Sequence, residues 1–149
     1  MITYRLANIN DIDTLINMRV LQLREEGAIE SFDLKPNLEE YYKTHLSDGS
    51  FISYLAIENN EVIATSGISI NHKPPYYACP SGKIGMVSSM YTNPNYRRLG
   101  IAKKLLNMVI NEAKEKGCGM IHVTASVVGV HLYESNGFSH NNRFLQLKV

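Results

Sequence analysis

A chain of 149 residues, 44% hydrophobic and 19% charged, is long enough to bury its own core and predicts a single domain over residues 1–149. A formal net charge of +1 gives no field that would draw nucleic acid or an anionic membrane to it. No apolar run approaches the ~18 residues of a membrane span, and the N-terminus lacks a secretory pattern, so a cytoplasmic location is expected. Cys79 and Cys118 form no Cys-x-x-Cys and the five histidines no His-x-x-x-His, so neither a disulfide framework nor a metal site is expected.

Taken in order, residues 2–6 alternate as a short first strand, with Tyr4 and Leu6 against Thr3 and Arg5. Asn10 or Asp11 is suited to cap the helix that follows. Ile12, Leu15, Ile16, Arg19, Val20 and Leu23 mark one side of that helix, and Gly27 ends it. Residues 28–35 form an acidic loop, with Glu30 and Asp33. Pro36 opens a second helix that Asp48-Gly49 closes. Residues 51–58 and 61–70 are β-rich runs around Asn59-Asn60, a pair that tolerates left-handed backbone and predicts a hairpin. Pro74, Pro75 and Pro80 exclude regular structure from residues 72–81, which read either as a connector or as a loop lining a binding site. Residues 85–92 form a further strand, and a helix follows Gly100 with Ala102, Leu105, Leu106, Val109 and Ala113 on one face. Residues 119–125 and 142–149 are expected as the last strands, the second of them ending the sheet. Strands and helices mixed in this order predict an α/β (α+β) fold with helices on both faces of the sheet.

The most informative stretch joins the 85–92 strand to the next helix through Asn93-Pro94-Asn95. It contains Tyr96-Arg97-Arg98-Leu99-Gly100-Ile101-Ala102-Lys103-Lys104. A helix N-terminus exposes unpaired N–H groups and the positive end of the macrodipole, which makes it a ready anion site. Gly100 lets backbone approach a bulky anion, Ala102 does not obstruct it, and Arg97, Arg98, Lys103 and Lys104 add positive charge. By spacing alone the stretch also fits a plain strand–turn–helix connection with a solvated basic edge. It is neither a nucleoside-triphosphate P-loop nor a dinucleotide fingerprint, because the required Gly-Lys-Ser/Thr and the second and third glycines are absent.

Arg97-x-x-Gly100-x-Ala102 resembles the Gln/Arg-x-x-Gly-x-Gly/Ala signature of the GCN5-related N-acetyltransferases. Met90-Tyr91-Thr92 resembles the end of that family's fourth strand. A second block, from Ala125-Ser126 to Gly129 and then Leu132-Tyr133-Glu134-Ser135-Asn136-Gly137-Phe138, resembles its LYExxGF segment, in the expected order and separation. The resemblance is specific over residues 82–138 and weaker elsewhere. It implies a mixed central sheet of about six to seven strands, acetyl-CoA as acetyl donor and no metal. The pyrophosphate would lie on Arg97, Arg98, Leu99, Gly100, Ile101, Ala102 and Lys103. The pantetheine arm would run along the backbone of Met90, Tyr91 and Thr92, between two splayed parallel strands, those of Met90 and Thr124. Ser126 would either bond the donor or cap the strand end.

By the same resemblance Tyr133 is the general acid that protonates the departing thiolate. A phenol near pKa 10 is reasonably matched to a thiol leaving group between about 8 and 9. Many relatives carry a carboxylate on the fourth strand as general base, and residues 84–92 contain none. Glu30, Asp33, Glu58 and His72 are the substitutes, each also readable as a solvated surface group, and no base is assigned. The acidic stretch Glu25, Glu26, Glu30 and Asp33 either attracts a cationic acceptor or is a solvated charged face. With no cysteine in either block, direct transfer through a ternary complex is expected rather than an acetyl-enzyme. The expected acceptor is a primary amine of a small molecule or peptide. The alternatives are a non-catalytic acyl-CoA-binding regulatory module, and an enzyme that makes an ester or moves a longer acyl group. The apolar end of the chain permits a homodimer.

Overall fold

A computed structural model describes all 149 residues. Six strands form one sheet: β1 (Thr3–Leu6), β2 (Phe51–Ile52), β3 (Tyr54–Glu58), β4 (Glu61–His72), β5 (Lys83–Thr92) and β6 (Met120–Val123). Their spatial order is β1-β3-β4-β5-β6, with β2 beside β4. Every pairing is antiparallel except the parallel β5–β6. The Asn59-Asn60 hairpin forms as its residue types predict, both asparagines taking positive φ at 51° and 63°. Central β4 is buried continuously from Ile63 to Ile68, because helices cover both faces of the sheet.

On one face α1 (Ile12–Glu25) and α2 (Lys35–Asp48) enclose Ile12, Leu15, Ile16, Tyr42, Phe51 and Leu55. On the other, α3 (Ile101–Glu115) and the short α4 (Val130–Ser135) cover Ile52, Ile68, Val87, Leu106, Val109, Ala113 and Tyr133. Helix α3 buries Leu105, Leu106, Val109 and Ala113 as expected, with Ile101 added to that face and Ala102 only partly buried. Asp11 holds the expected N-cap position of α1 but makes no side-chain cap bond to that helix. Asn8 caps a short 3₁₀ turn (Ile9–Asp11), and the Asp11 carboxylate accepts the Asn8 N–H in return. Gly27 and Gly49 end their helices at φ of 86° and 77°, as expected of left-handed caps.

The last expected strand does not form. Residues 142–149 pair with nothing, and Phe144, Leu145, Leu147 and Val149 stand out in solvent. The alternating pattern is present, but the fold of one chain supplies this segment with no neighbouring strand. Strand β6 is therefore an edge, its outer N–H and C=O groups free.

Two features of β5 shape the functional region. Its pairing with β4 shifts by one residue between Thr65 and Gly67, at a bulge where Ser89 takes φ of 57°. The Thr65 hydroxyl bridges the bulge by donating to the Ser89 carbonyl at 3.0 Å. On its other side β5 is paired with β6 only as far as Val87–Val123. Beyond that point the two parallel strands separate, and residues Ser88 to Thr92 face an opening.

Candidate active site

The opening between β5 and β6 widens into a cleft of about 960 Å³. Its walls are the C-terminal half of α1, the end of β5, the start of α3, and the segment from Val123 through α4. Of the residues expected to form the site, Met90, Tyr91, Thr92, Arg97, Arg98, Gly100, Ile101, Ala102, Lys103, Ser126 and Tyr133 all line it. Leu99 does not; its side chain is directed outward and 64% exposed.

The turn before α3 is built as an anion cradle. Arg98 and Gly100 take φ of 65° and 80°, left-handed values that fold the chain back on itself. The first helical bond of α3 is Lys104 N–H to the Gly100 carbonyl, at 3.1 Å. From Arg98 to Lys103, consecutive backbone N–H groups therefore have no acceptor within the protein. Such a run of donors at a helix N-terminus is a nest for oxyanions. Gly100 is required here by its φ, and a Cβ placed on it would point into open space.

The basic side chains divide their work in a way that spacing does not reveal. Arg97 donates from Nε to the Thr92 carbonyl at 2.9 Å and from one terminal nitrogen to both Glu25 oxygens, at 2.7 and 3.0 Å. It fastens α1 to the end of β5 and packs over the Tyr91 ring. Lys104 is turned away, its Nζ 4.2 Å from the centre of the Tyr4 ring. Arg98 and Lys103 are the cations the turn leaves for a ligand in the cleft.

Tyr133 is 8% exposed and packs edge-on against Phe138. Burial pushes its phenol up to about 12, with the Glu26 carboxylate adding to the rise. The group is thus held protonated throughout the neutral range. Ser126 accepts the Gly129 N–H at 3.0 Å, and its carbonyl accepts the Val130 N–H, so it organises the entry to α4 while bordering the cleft.

None of the four suggested bases lies in the cleft. Glu30 is ion-paired with Arg24 at 2.9 Å, Glu58 lies at the end of β3, His72 at the end of β4, and Asp33 is exposed before α2. The carboxylates that do line it are Glu25 and Glu26, at the end of α1. Glu25 is held by Arg97, and Glu26 is not ion-paired. The sequence shows both only as part of an acidic stretch.

A six-stranded mixed sheet opened at one parallel pair, with a helix N-terminus set at the mouth of the opening, is the arrangement this chain builds around its cleft. The model of the acetyltransferase (GNAT) family matches residues 13–138, and the chain belongs to that family. A protein of Escherichia coli strain K12 described as the uncharacterized N-acetyltransferase YjgM is 31% identical over 109 residues, which are 70% of this chain and 60% of that protein. The matched region thus spans under two thirds of that relative's length. A predicted acetyltransferase from Clostridium acetobutylicum, solved with acetyl-CoA, superposes at a TM-score of 0.96 with 35% identity, covering 99% of this chain and 96% of the other. A GCN5-related N-acetyltransferase from Ralstonia eutropha JMP134 has the same fold, at a TM-score of 0.90 and 23% identity over 99% of both chains.

Proposed function

We propose that this chain is an acetyl-CoA-dependent N-acetyltransferase that moves an acetyl group directly to a primary amine of a small molecule or peptide. The observation that carries the reading is the unpaired run of N–H groups from Arg98 to Lys103 at the mouth of the β5–β6 opening. The nest accepts a pyrophosphate, with Arg98 and Lys103 adding charge. The open edge of β5 from Ser88 to Thr92 accepts the amide-bearing pantetheine arm as a further strand would. A backbone N–H at the bulge is suited to polarise the thioester carbonyl. The cleft then leaves the thioester between β5, Glu26 and Tyr133. The relative from Clostridium acetobutylicum, solved with acetyl-CoA, supports the same donor.

The donor supplies an acetyl group on a sulfur leaving group. The amine nitrogen bonds to the acetyl carbon as the carbon–sulfur bond breaks. Tyr133 donates a hydrogen bond and then its proton to the departing sulfur, and the proton lost by the acylated nitrogen returns to the phenolate through solvent beside Glu26. The cytoplasm is the expected compartment. The exposed tail and the open edge of β6 favour a homodimer.

Calorimetric titration with acetyl-CoA followed by thiol release against a panel of amines tests the reading. Micromolar binding with turnover on one amine class is expected. A Gly100→Val variant, forced from its left-handed φ, should weaken binding at least about tenfold while remaining folded. Binding without turnover on any amine would instead favour an acyl-CoA sensor, and equal affinity in the variant would remove the pyrophosphate from this turn.

A further inference from the structure

Besides the Arg97-bound Glu25, α1 lines the cleft with Arg19, Gln22 and Leu23, and its C-cap Glu26 continues them at the helical spacing i, i+3, i+4 and i+7. They form one strip along the α1 wall of the cleft, and its two ends carry opposite charge. Arg19 is half-buried and has no carboxylate partner. One of its terminal nitrogens donates to Gln22 Oε1 at 2.9 Å, and its remaining donors are uncommitted. Its free N–H groups border the cleft, where an arriving anion would be met by charge-assisted hydrogen bonds.

Glu26 is the converse case. It caps the C-terminal end of α1, where the helix dipole is already negative and a carboxylate is disfavoured. Its neighbour Glu25 is offset by Arg97, whereas Glu26 has no cation and lies close enough to Tyr133 to raise its phenol. Glu26 is exposed at the cleft wall, so its carboxylate is solvated in the free protein and open to a cation that enters the cleft. Leu23, between the two charges, offers an apolar surface for a connecting alkyl segment.

We infer that this strip is the acceptor-recognition surface and that the acceptor is a dipolar amine. Its ammonium is received by Glu26 and the carbonyl end of α1, beside Tyr133, and an oxyanion on the same molecule, carboxylate or phosphate, is received by Arg19 and Gln22. The inference rests on the transferase reading above and narrows it to amines that carry their own negative charge. Arg19 and Glu26 are seven residues apart, about 10 Å along the helix, so side chains reaching inward fit an amine and an oxyanion separated by several bonds.

The test uses the full chain with acetyl-CoA and a ladder of ω-amino carboxylates from glycine to 6-aminohexanoate. Each is paired with its carboxamide, and 2-aminoethyl phosphate is run alongside. The expected result is a kcat/KM for the carboxylate about 10- to 100-fold above that for its amide, largest at one chain length, as loss of a hydrogen bond to a charged group predicts. Higher turnover of the phosphate than of any carboxylate would identify phosphate as the oxyanion. Arg19→Gln should bring the carboxylate-to-amide ratio close to one, Arg19→Lys should restore part of it, and Glu26→Gln should raise KM for both members of each pair. Thermal melts and the acetyl-CoA Kd establish that each variant is folded and loads donor. Equal rates for carboxylate and amide, or a preference that survives Arg19→Gln, would overturn the inference while leaving the transferase intact. Absence of turnover on every amine despite acetyl-CoA binding would overturn the transferase reading and this inference with it.

Discussion

Tyr133 is held by α4 against Phe138, and that packing sets its chemistry as well as its position. At about 12 the phenol lies well above a thiol near 8.5, so transfer to sulfur is uphill by itself and is completed only as the nitrogen's proton returns to the phenolate. A raised phenol pKa keeps the donor form fully populated as pH rises. The rate-against-pH profile should therefore climb as the acceptor amine loses its proton and stay flat through pH 10. An ordinary phenol would already be half ionised there. Tyr133→Phe should lower kcat on the order of 10²-fold at every pH and leave the Kd for acetyl-CoA within about twofold. An unchanged kcat in that variant, or a wild-type rate that falls between pH 9 and 10, would show that the tyrosine is not the proton donor.

Among the elements, α1 is the one whose placement decides the geometry of the cleft, and two polar fastenings hold it. At its C-terminal end Arg97 binds Glu25; at its N-terminal end Arg5 from β1 binds the buried Asp11 through two bonds of 2.8 Å. The Arg5 guanidinium and the Asn8 N–H hold the Asp11 carboxyl below its ordinary value. A depressed carboxylate adds stability that is complete above its unfolded pKa of ~3.9 and is lost as pH falls through the folded value. Asp11→Asn should destabilise the chain by about 1–2 kcal/mol at pH 7, and the gap from wild type should close towards pH 3. Urea melts at the two pH values measure this, and a gap independent of pH would assign the loss to packing. The turn before α3 and the LYExxGF segment were legible in sequence because each is a local pattern, complete within a few residues of Gly100 or Tyr133. The division of labour around them was not. The Arg97–Glu25 pair joins residues 72 apart, and only once it exists is Glu26 distinguishable from the rest of the acidic stretch. Arg19 sits among apolar positions on α1, and its lack of a carboxylate emerges only when the opposite walls of the cleft are in place.

Over the whole molecule, the strand pattern of the tail was read correctly as a pattern and wrongly as an intramolecular strand. Leu145, Leu147 and Val149 fall on one side of an extended segment, with Gln146 and Lys148 on the other, a period-2 alternation that wants one dry face. Strand β6 meanwhile ends the sheet with its outer edge unpaired, and Val127 and Val128 just beyond it are 91% and 86% exposed. An unpaired apolar tail and an unprotected sheet edge within one chain are both relieved if two copies exchange tails, each laid as a strand on the other's β6 about a twofold axis. The exchange would extend both sheets and seat a partner segment beside the 124–128 wall of each cleft. Sedimentation at micromolar concentration should give a dimer, and Leu145→Asp with Leu147→Asp should give a folded monomer with the same melting cooperativity. If the sites are shaped by the exchange, that monomer should also show a KM for the amine raised several-fold, with its acetyl-CoA affinity retained. A wild-type chain that stays monomeric at ~100 μM, above the dissociation constants typical of stable interfaces, would leave the tail without this partner and the cleft complete within one copy.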